Sequence, residues 1–236
     1  MDSKSASTQK PYPVRSAFQT FPFFTSLTTE TRDAILNLAT PRHFSAGQVI
    51  YLEGEPAEHV FILTKGWVKA TKITKEGREQ GLMFLKPVEI FGDIAVFAGT
   101  SYPGTTTALE DVDTLVVPAP ALLKLVASNH DLSAAVIQRL SQRVLGFIDL
   151  VEDLSLRNVE ARLACSLLRN VQVVDGQNIV PRHDWTTLDQ MAVRLGTVRD
   201  VISRAMKNLE TAGLIRVEKN TIYLLDPIKL AQRAEE

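Results

Sequence analysis

The fold of this chain is decided by residues 187–215, TLDQMAVRLGTVRDVISRAMKNLETAGLI, which predict two short helices separated by a glycine turn. Thr187 is followed three residues later by Gln190, and Thr197 is followed three residues later by Asp200. This spacing is typical of the capping boxes that open helices. Two such boxes in succession, with a glycine between the helices, predict a helix-turn-helix.

Both predicted helices carry apolar side chains at helical spacing, so they are expected to pack on one another. The apolar stripes comprise Leu188, Met191, Ala192 and Leu195 in the first helix, and Val198, Val201, Ile202, Ala205 and Leu209 in the second. The exposed polar face of the second helix comprises Arg199, Asp200, Ser203, Arg204 and Lys207. A recognition helix meets base edges with its N-terminal half, where Arg can bind guanine and a carboxylate can accept from cytosine. We therefore expect DNA contacts from these five side chains and from Thr187 and Thr197.

A charged outer face is also what an ordinary amphipathic helix pair shows, and the residues that follow favour the DNA-binding interpretation. Two short β-type runs, Leu214–Val217 and Thr221–Leu225, are joined by Glu218, Lys219 and Asn220. They predict a β-hairpin directly after the helix pair. The segment is therefore predicted to be a winged helix-turn-helix.

The hexapeptide RDVISR, residues 199–204, resembles the recognition-helix pattern R-E-T-[VI]-[GS]-R of the Crp/Fnr family of bacterial transcription regulators. Asp200 stands where the family usually has Glu, and is one methylene shorter. Ser203 followed by Arg204 is similar to the fumarate-nitrate branch rather than to the Gly-Arg of the catabolite-activator branch. The resemblance implies transcription regulation through sequence-specific DNA binding.

Residues 44–118 contain short β-type runs separated by turn residues, a spacing that predicts an antiparallel roll or jelly roll. The predicted strands are Gln48–Leu52, Val60–Leu63, Trp67–Ile73, Gln80–Leu85, Thr105–Leu109 and Thr114–Val117. The stretches at 47–50, 53–55, 65–69 and 76–79 resemble the cyclic-nucleotide-binding β-roll of the same family.

The N-terminal region begins with a Ser-, Lys- and Pro-rich stretch that is predicted to be disordered. An apolar cluster, interpreted as core, follows with Phe18, Phe21, Phe23, Phe24 and Leu27. Residues 22–27, PFFTSL, are similar to the P-L-F-x-x-L motif with which family members open. Thr28 is the predicted N-cap of a helix over Thr29–Leu38.

A long helix is predicted from about Asp131 to Leu154, with apolar side chains at alternating spacings of three and four. This stripe, called the dimer stripe here, comprises Ile137, Leu140, Val144, Phe147, Val151 and Leu154. The narrow heptad pattern favours a partner helix and therefore a homodimer. A second set, Val136, Leu145, Ile148 and Leu150, is expected to cover the roll.

The predicted fold class is α+β, with an N-terminal antiparallel β-roll of the cyclic-nucleotide-binding type, a long dimerisation helix and a C-terminal winged helix-turn-helix. The predicted boundaries are 1–15 for the disordered tail, 16–130 for the β-roll sensory domain, 131–155 for the dimerisation helix and 156–236 for the DNA-binding domain. Asn158 is a predicted N-cap, so residues 155–158 are expected to be the hinge.

Composition excludes several other classes of protein. The chain of 236 residues is 45% hydrophobic and 22% charged, as in ordinary globular proteins. A single cysteine, Cys165, excludes an internal disulfide and the four-cysteine iron–sulfur site of the oxygen-sensing relatives. The apolar runs fall short of the ~20 residues of a membrane span, so a cytoplasmic protein without a membrane partner is expected.

A cupin-type metalloenzyme is the enzyme alternative for a β-roll, and the sequence does not favour it. Such a site needs several His and a Glu converging on one metal. The four histidines, His43, His59, His130 and His183, occur singly in different segments. The sequence also has no pattern typical of a catalytic triad, a carboxylate pair or a phosphate loop, so no enzyme activity, catalytic residue or metal site is predicted.

The charge is distributed unevenly along the chain. Residues 1–155 contain 14 Lys and Arg against 17 Asp and Glu, whereas residues 156–236 contain 12 against 10. The sign of the difference suits DNA binding by the C-terminal half, but the difference is small. DNA affinity is therefore expected to depend on where the cations lie and on dimerisation.

Although the roll resembles a cyclic-nucleotide-binding domain, the sequence departs from the nucleotide-binding pattern, so cyclic AMP is not the expected effector. Cyclic-nucleotide-binding members have G-E-x-x-G and then an Arg-Ser or Arg-Thr pair whose Arg binds the phosphate. Here Val88 replaces the leading glycine, Tyr102-Pro103 stand at the Arg-Ser position, and residues 79–138 contain no Arg. Haem is not expected either, because Asp93, Ile94 and Ala95 occur where carbon-monoxide-sensing relatives carry a ligand His.

The corresponding region is mainly apolar, which predicts either a hydrophobic small molecule or no ligand, and no cofactor. This predicted effector pocket comprises Glu89, Ile90, Phe91, Tyr102, Pro103, Gly104, Thr105, Thr106, Phe147, Ile148 and Val151. The predicted partners are a near-palindromic double-stranded DNA operator, a second copy of the chain and, for an activator, RNA polymerase. The alternative is a ligand-binding module whose C-terminal domain contacts protein rather than DNA.

Overall fold

The computed structural model describes residues 22–77 and 79–235. In chain order its elements are α1 (Pro22–Thr25), α2 (Thr29–Leu38), β1 (Thr40–Phe44), β2 (Val49–Tyr51), β3 (His59–Lys65), β4 (Val68–Ile73), β5 (Glu79–Leu85), β6 (Ile90–Phe91), α3 (Asp93–Ala98), β7 (Thr105–Ala108), β8 (Val112–Pro118), α4 (Ala119–Ser128), α5 (His130–Leu156), α6 (Val159–Arg169), β9 (Gln172–Val174), β10 (Gln177–Pro181), α7 (Leu188–Leu195), α8 (Arg199–Thr211), β11 (Ile215–Val217), β12 (Thr221–Leu224) and α9 (Pro227–Ala234). This order confirms the predicted fold class. The predicted disordered tail, Phe18, Phe21 and Arg78 lie outside the described residues.

The chain forms two compact units. The first contains the residues up to Val68 together with Leu85–Ser141, and the second contains Lys69–Phe84 together with the residues from Gln142 onward. This division does not coincide with the boundaries predicted at residues 130 and 155, which stay predictions. Among the described helices, none combines the length and the hydropathy that a membrane crossing needs.

The β-roll is built from two four-stranded sheets, with strand orders β1-β8-β3-β6 and β2-β7-β4-β5. In the first sheet β3 pairs antiparallel with β8, and Phe61 lies opposite Val116. Because side chains alternate along a strand, Val60 and Ile62 face away from Phe61. Val60 and Ile62 belong to a buried core with the side chains of α2, α4 and α5. The sheet therefore has a helix-covered face and a face directed into the roll.

A buried ion pair fixes the first half of α5 to the roll. Asp93, at the first position of α3, is 2% exposed, and Arg139 on α5 donates its Nε–H to Asp93 Oδ2 at 2.8 Å. The same guanidinium donates to the carbonyl of Ile90 on β6. Because the carboxylate is desolvated, this pair holds α5 in one position against β6 and α3.

In the second unit, helices α6 to α9 enclose a core that includes Leu163, Ile202, Leu209 and Ile222. The core is flanked by a sheet of order β11-β12-β10-β9. The predicted N-cap Asn158 is confirmed, because its Oδ1 accepts from the N–H of Ala161 at 2.9 Å. The predicted hairpin is also confirmed, as β11 and β12.

The second unit also contains β5, which lies against α7. The ring of Phe84 on β5 stacks on Trp185 with centroids 6.3 Å apart, and the guanidinium of Arg194 on α7 lies 5.6 Å from the Phe84 centroid. Burial lowers the pKa of Arg194 from its usual value, and the nearby Arg169 acts in the same direction. A cation over an aromatic face is stabilised there by the ring quadrupole.

Candidate nucleic-acid interface

Helix α7 begins and ends where the sequence predicted. The N–H of Gln190 donates to Oγ1 of the N-cap Thr187 at 3.2 Å, which is one half of the predicted capping box. The other half is not formed, because the N–H of Thr187 donates to the carbonyl of Trp185 at 2.8 Å. Gly196 ends the helix at φ 65° and ψ 44°, a left-handed conformation that suits glycine.

The prediction of Thr197 as the N-cap of the second helix is wrong. The N-cap of α8 is Val198, which makes no side-chain capping hydrogen bond. The N–H of Thr197 donates to the carbonyl of Ala192 at 2.9 Å, so this residue takes part in closing α7. Thr197 therefore belongs to the turn that follows Gly196, and α8 begins at Arg199.

The polar face of α8 is the one that the sequence predicted, whereas the apolar face differs from the predicted stripe: Met206, which the stripe did not include, is buried, and Val201 is only half-buried. Arg199, Asp200, Ser203, Arg204 and Lys207 are exposed, while Ile202, Ala205, Met206 and Leu209 are buried. Val198 was assigned to the apolar stripe, but 58% of it is exposed. The buried side chains hold α8 against the core, so the same polar side chains always face solvent from the N-terminal half of the helix.

Two of the three cations on this surface have no ionic partner among the described residues. Arg199 Nη1 lies 3.4 Å from Asp189 Oδ2, and both side chains are more than half exposed. An ion pair so exposed is worth little and is readily exchanged for another anion. Arg204 and Lys207 make no ion pair within residues 22–77 and 79–235, so both are available to an anionic ligand.

The wing contributes a cation that the sequence reasoning missed. Arg216 on β11 lies opposite Tyr223 on β12, with its guanidinium 4.3 Å from the centroid of the tyrosine ring. Arg216 Nε also lies 3.2 Å from Glu218 Oε1. The predicted hairpin could have indicated this contact, because Arg216 and Tyr223 stand at cross-strand positions on a two-stranded ribbon.

The residues of the predicted effector pocket divide between the two units. In the first unit Ile90, Phe91, Tyr102, Gly104 and Thr106 are buried, Glu89 and Thr105 are half-buried, and Pro103 is exposed. On α5, in the second unit, Phe147, Ile148 and Val151 are exposed. Apart from Pro103, the residues of the predicted pocket that lie in the first unit are thus buried or half-buried.

Aromatic side chains pack together in the interior of the roll. Tyr102 stacks on Tyr51 with ring centroids 3.8 Å apart, and Phe61 stacks on Phe91 at 5.0 Å. The Tyr51 and Phe61 centroids are 5.7 Å apart, which joins the two stacked pairs into one cluster. The 5.0 Å and 5.7 Å separations lie in the range in which aromatic pairs stabilise packing beyond simple burial.

Tyr102 is held in this cluster by its hydroxyl. The O–H donates to the carbonyl of His59 at 2.7 Å, and the hydroxyl oxygen accepts from the N–H of His59 at 3.3 Å. Burial raises the pKa of Tyr102 above its ordinary value, so the hydroxyl keeps its proton near neutral pH. The Tyr102 hydroxyl is therefore neutral, and both of its hydrogen bonds are made within the protein.

A cavity in the first unit lies among residues of the helix-covered core. Its volume is about 30 Å³, and its lining includes Ile62, Leu132, Val136 and the Asp93–Arg139 ion pair. A cavity of that volume is large enough to hold a water molecule. The cavity is too small for a nucleotide.

The dimer stripe is largely exposed in the single chain. Ile137 is 66% exposed, Val144 58%, Phe147 36%, Val151 63% and Leu154 38%, and Leu140 is half-buried against the first core. In the second set Val136 is buried, but Leu145 and Ile148 are also exposed, so the expectation that this set covers the roll fails for both. A continuous apolar surface of this kind on one helix marks an interaction site.

Two domain models match the chain: the cyclic nucleotide-binding domain over residues 41–129 and the Crp-like helix-turn-helix domain over residues 161–233. The chain is 26% identical over 204 residues to the CRP-like cAMP-activated global transcriptional regulator of Mycobacterium tuberculosis, covering 85% of this chain and 91% of that protein. It is 27% identical over 198 residues to the global nitrogen regulator of Synechococcus elongatus, covering 80% and 87%.

Among solved structures, FixK2 from Bradyrhizobium japonicum matches with a TM-score of 0.73 at 24% identity, over 82% of this chain and 96% of that one. At that identity the match shows the shared fold. The two domain models occur in the order roll and then helix-turn-helix, and the Mycobacterium tuberculosis relative, which matches over most of this chain, is a transcriptional regulator. The chain belongs to the Crp/Fnr family of transcription regulators.

Proposed function

We propose that this protein binds a near-palindromic DNA operator as a homodimer, with α8 of each chain in the major groove of one half-site. The observation that carries the proposal is the surface of α8, where three cations, a carboxylate and a hydroxyl are exposed around a helix held by buried Ile202 and Leu209. Such donors and acceptors at the N-terminal half of a recognition helix match the groups that bases present.

The exposed side chains divide by the contact that each can make. Arg204 has a fork of donors, no ionic partner among the described residues, and a place one turn into α8, so we assign it to a guanine. Arg199 and Ser203 are assigned to bases or phosphates and Asp200 to a cytosine amino group. Lys207 lies further along α8 and is assigned to a phosphate.

The homodimer is proposed from the dimer stripe on α5. Val144 and Val151 are both more than half exposed in the single chain, and burying them against a symmetry-related helix would remove apolar surface from water. A two-fold dimer places two recognition helices about one turn of DNA apart, which makes the operator a near-palindrome. If the protein activates transcription, RNA polymerase is the further partner.

A salt-dependent gel shift tests DNA binding and separates it from the alternative in which the C-terminal domain contacts only protein. The duplexes would be selected from a random pool by the full chain, with an unselected duplex as the matched control. We expect preference for the selected duplex and a steep loss of affinity with salt, because phosphate contacts release counterions. Equal, weak binding of both duplexes would contradict the proposal.

For the roll we propose that no cyclic nucleotide is bound. The Tyr51–Tyr102 and Phe61–Phe91 pairs occupy the interior. The family resemblance puts Tyr102 where cyclic-nucleotide-binding members have the phosphate-binding Arg. Thr106 Oγ1 is buried without a hydrogen-bond partner in the described part of the chain. A neutral hydroxyl would not compensate the desolvation of a phosphate. Of the two interpretations that the sequence left open, this packing supports the one without a ligand in the roll.

Calorimetric titration of the full chain with cyclic AMP and with cyclic GMP is expected to show no binding at micromolar concentration. The physical reason is the charge of the phosphate, which needs a cation in a desolvated site. Operator affinity measured with and without each nucleotide should also be unchanged. Micromolar binding that strengthens operator binding would overturn this part of the proposal.

A further inference from the structure

Val198 has a large apolar side chain that is neither buried in the core nor able to cap α8. It is 58% exposed and is the N-cap of α8, where it makes no side-chain hydrogen bond. Ser, Thr, Asp and Asn stabilise a helix at this position, whereas Val is among the residues that do not. Neither burial in the core nor stabilisation of α8 explains why a Val occupies this position.

The surroundings of Val198 suggest what it contacts. It directly precedes Arg199 and Asp200, both exposed, at the end of α8 that a recognition helix brings to the base edges. Of the groups that bases present in the major groove, the C5 methyl of thymine is the apolar one. An exposed Val at this end of α8 offers two methyl groups to such a partner.

We propose that Val198 determines specificity for a thymine in each half-site by packing its side chain on the C5 methyl group. This inference rests on the proposed function, because it requires α8 to lie in the major groove. Burying one methyl group corresponds to about a fourfold change in affinity, and two half-sites together to roughly 15-fold. The contact discriminates thymine from cytosine, which has no methyl group there.

The test replaces thymine by deoxyuridine, which removes the methyl group and leaves base pairing intact. In an operator selected by the full-length protein, each symmetry-related pair of thymines would be replaced in turn and the Kd measured. We expect one pair whose replacement weakens binding roughly 15-fold. For the Val198→Ser variant, thymine and deoxyuridine at that pair should bind equally well.

Two variants guard against a merely structural effect. Val198→Ser supplies an N-cap hydroxyl, so its Tm should stay the same or rise, and weaker binding cannot then be attributed to unfolding. Val198→Ile keeps the apolar contact and should keep the sensitivity to the methyl group. If Val198→Ser stays as sensitive as the wild type, or the wild type is insensitive at every thymine, the inference is overturned. Absence of any sequence preference would overturn the proposed function with it.

Discussion

Replacing Val144 by Asp is expected to convert the dimer into monomers and to abolish specific DNA binding at the same time. Val144 lies in the middle of the dimer stripe and is 58% exposed in the single chain, so the change should leave the fold of each chain intact. In the dimer the carboxylate would be buried opposite its symmetry mate, at a cost of roughly 3–5 kcal/mol. A monomer presents only one recognition helix, so it can contact only one half-site of the operator.

Sedimentation velocity measures the first effect and a gel shift on the selected operator measures the second. The matched control is Gln142→Asp, which adds the same charge to the same helix at an exposed residue outside the dimer stripe. The control should remain a dimer and bind DNA as the wild type does. A dimer of unchanged stability for Val144→Asp would show that the assigned stripe is not the interface.

Replacing Arg204 by Ala is expected to weaken operator binding by roughly 1–3 kcal/mol per half-site and to relax the preference at one base pair. Arg204 is exposed on α8 and makes no ion pair within the described residues, so its removal leaves no buried charge behind. The loss therefore reports the contact with DNA rather than damage to the protein.

The matched control is Lys207→Ala, about one turn further along α8 and also exposed. Its removal should weaken binding to selected and unselected duplexes alike and should reduce the salt dependence by about one counterion per half-site, and therefore by about two for the dimer. Repeating the selection from a random pool with Arg204→Ala should identify the base pair that is no longer specified. Equal losses for Arg204→Ala on both duplexes would assign that residue to a phosphate.

Most helix ends in the C-terminal half followed from local rules, although the start of α8 did not. The caps Asn158 and Thr187 and the left-handed Gly196 are where the sequence predicted them, because capping involves residues three apart along the chain. The strand β9 was not predicted. Its residues Gln172–Val174 are all exposed, so buried and exposed positions do not alternate along it. The short helix α3, between Gly92 and Gly99, was missed because six residues are too few to show a period.

The sequence by itself determined the fold class, the family, the polar face of α8 and the apolar stripe of α5, because each depends on spacing along one element or on a local motif. Only the tertiary structure decided that Tyr102 stacks on Tyr51 and is held by His59, since these residues are distant in sequence. It also decided that Val198 is exposed. Its helical spacing suited the core, but the turn at Gly196 takes up Thr197, places Val198 at the N-cap, and leaves its side chain outside the packed face of α8.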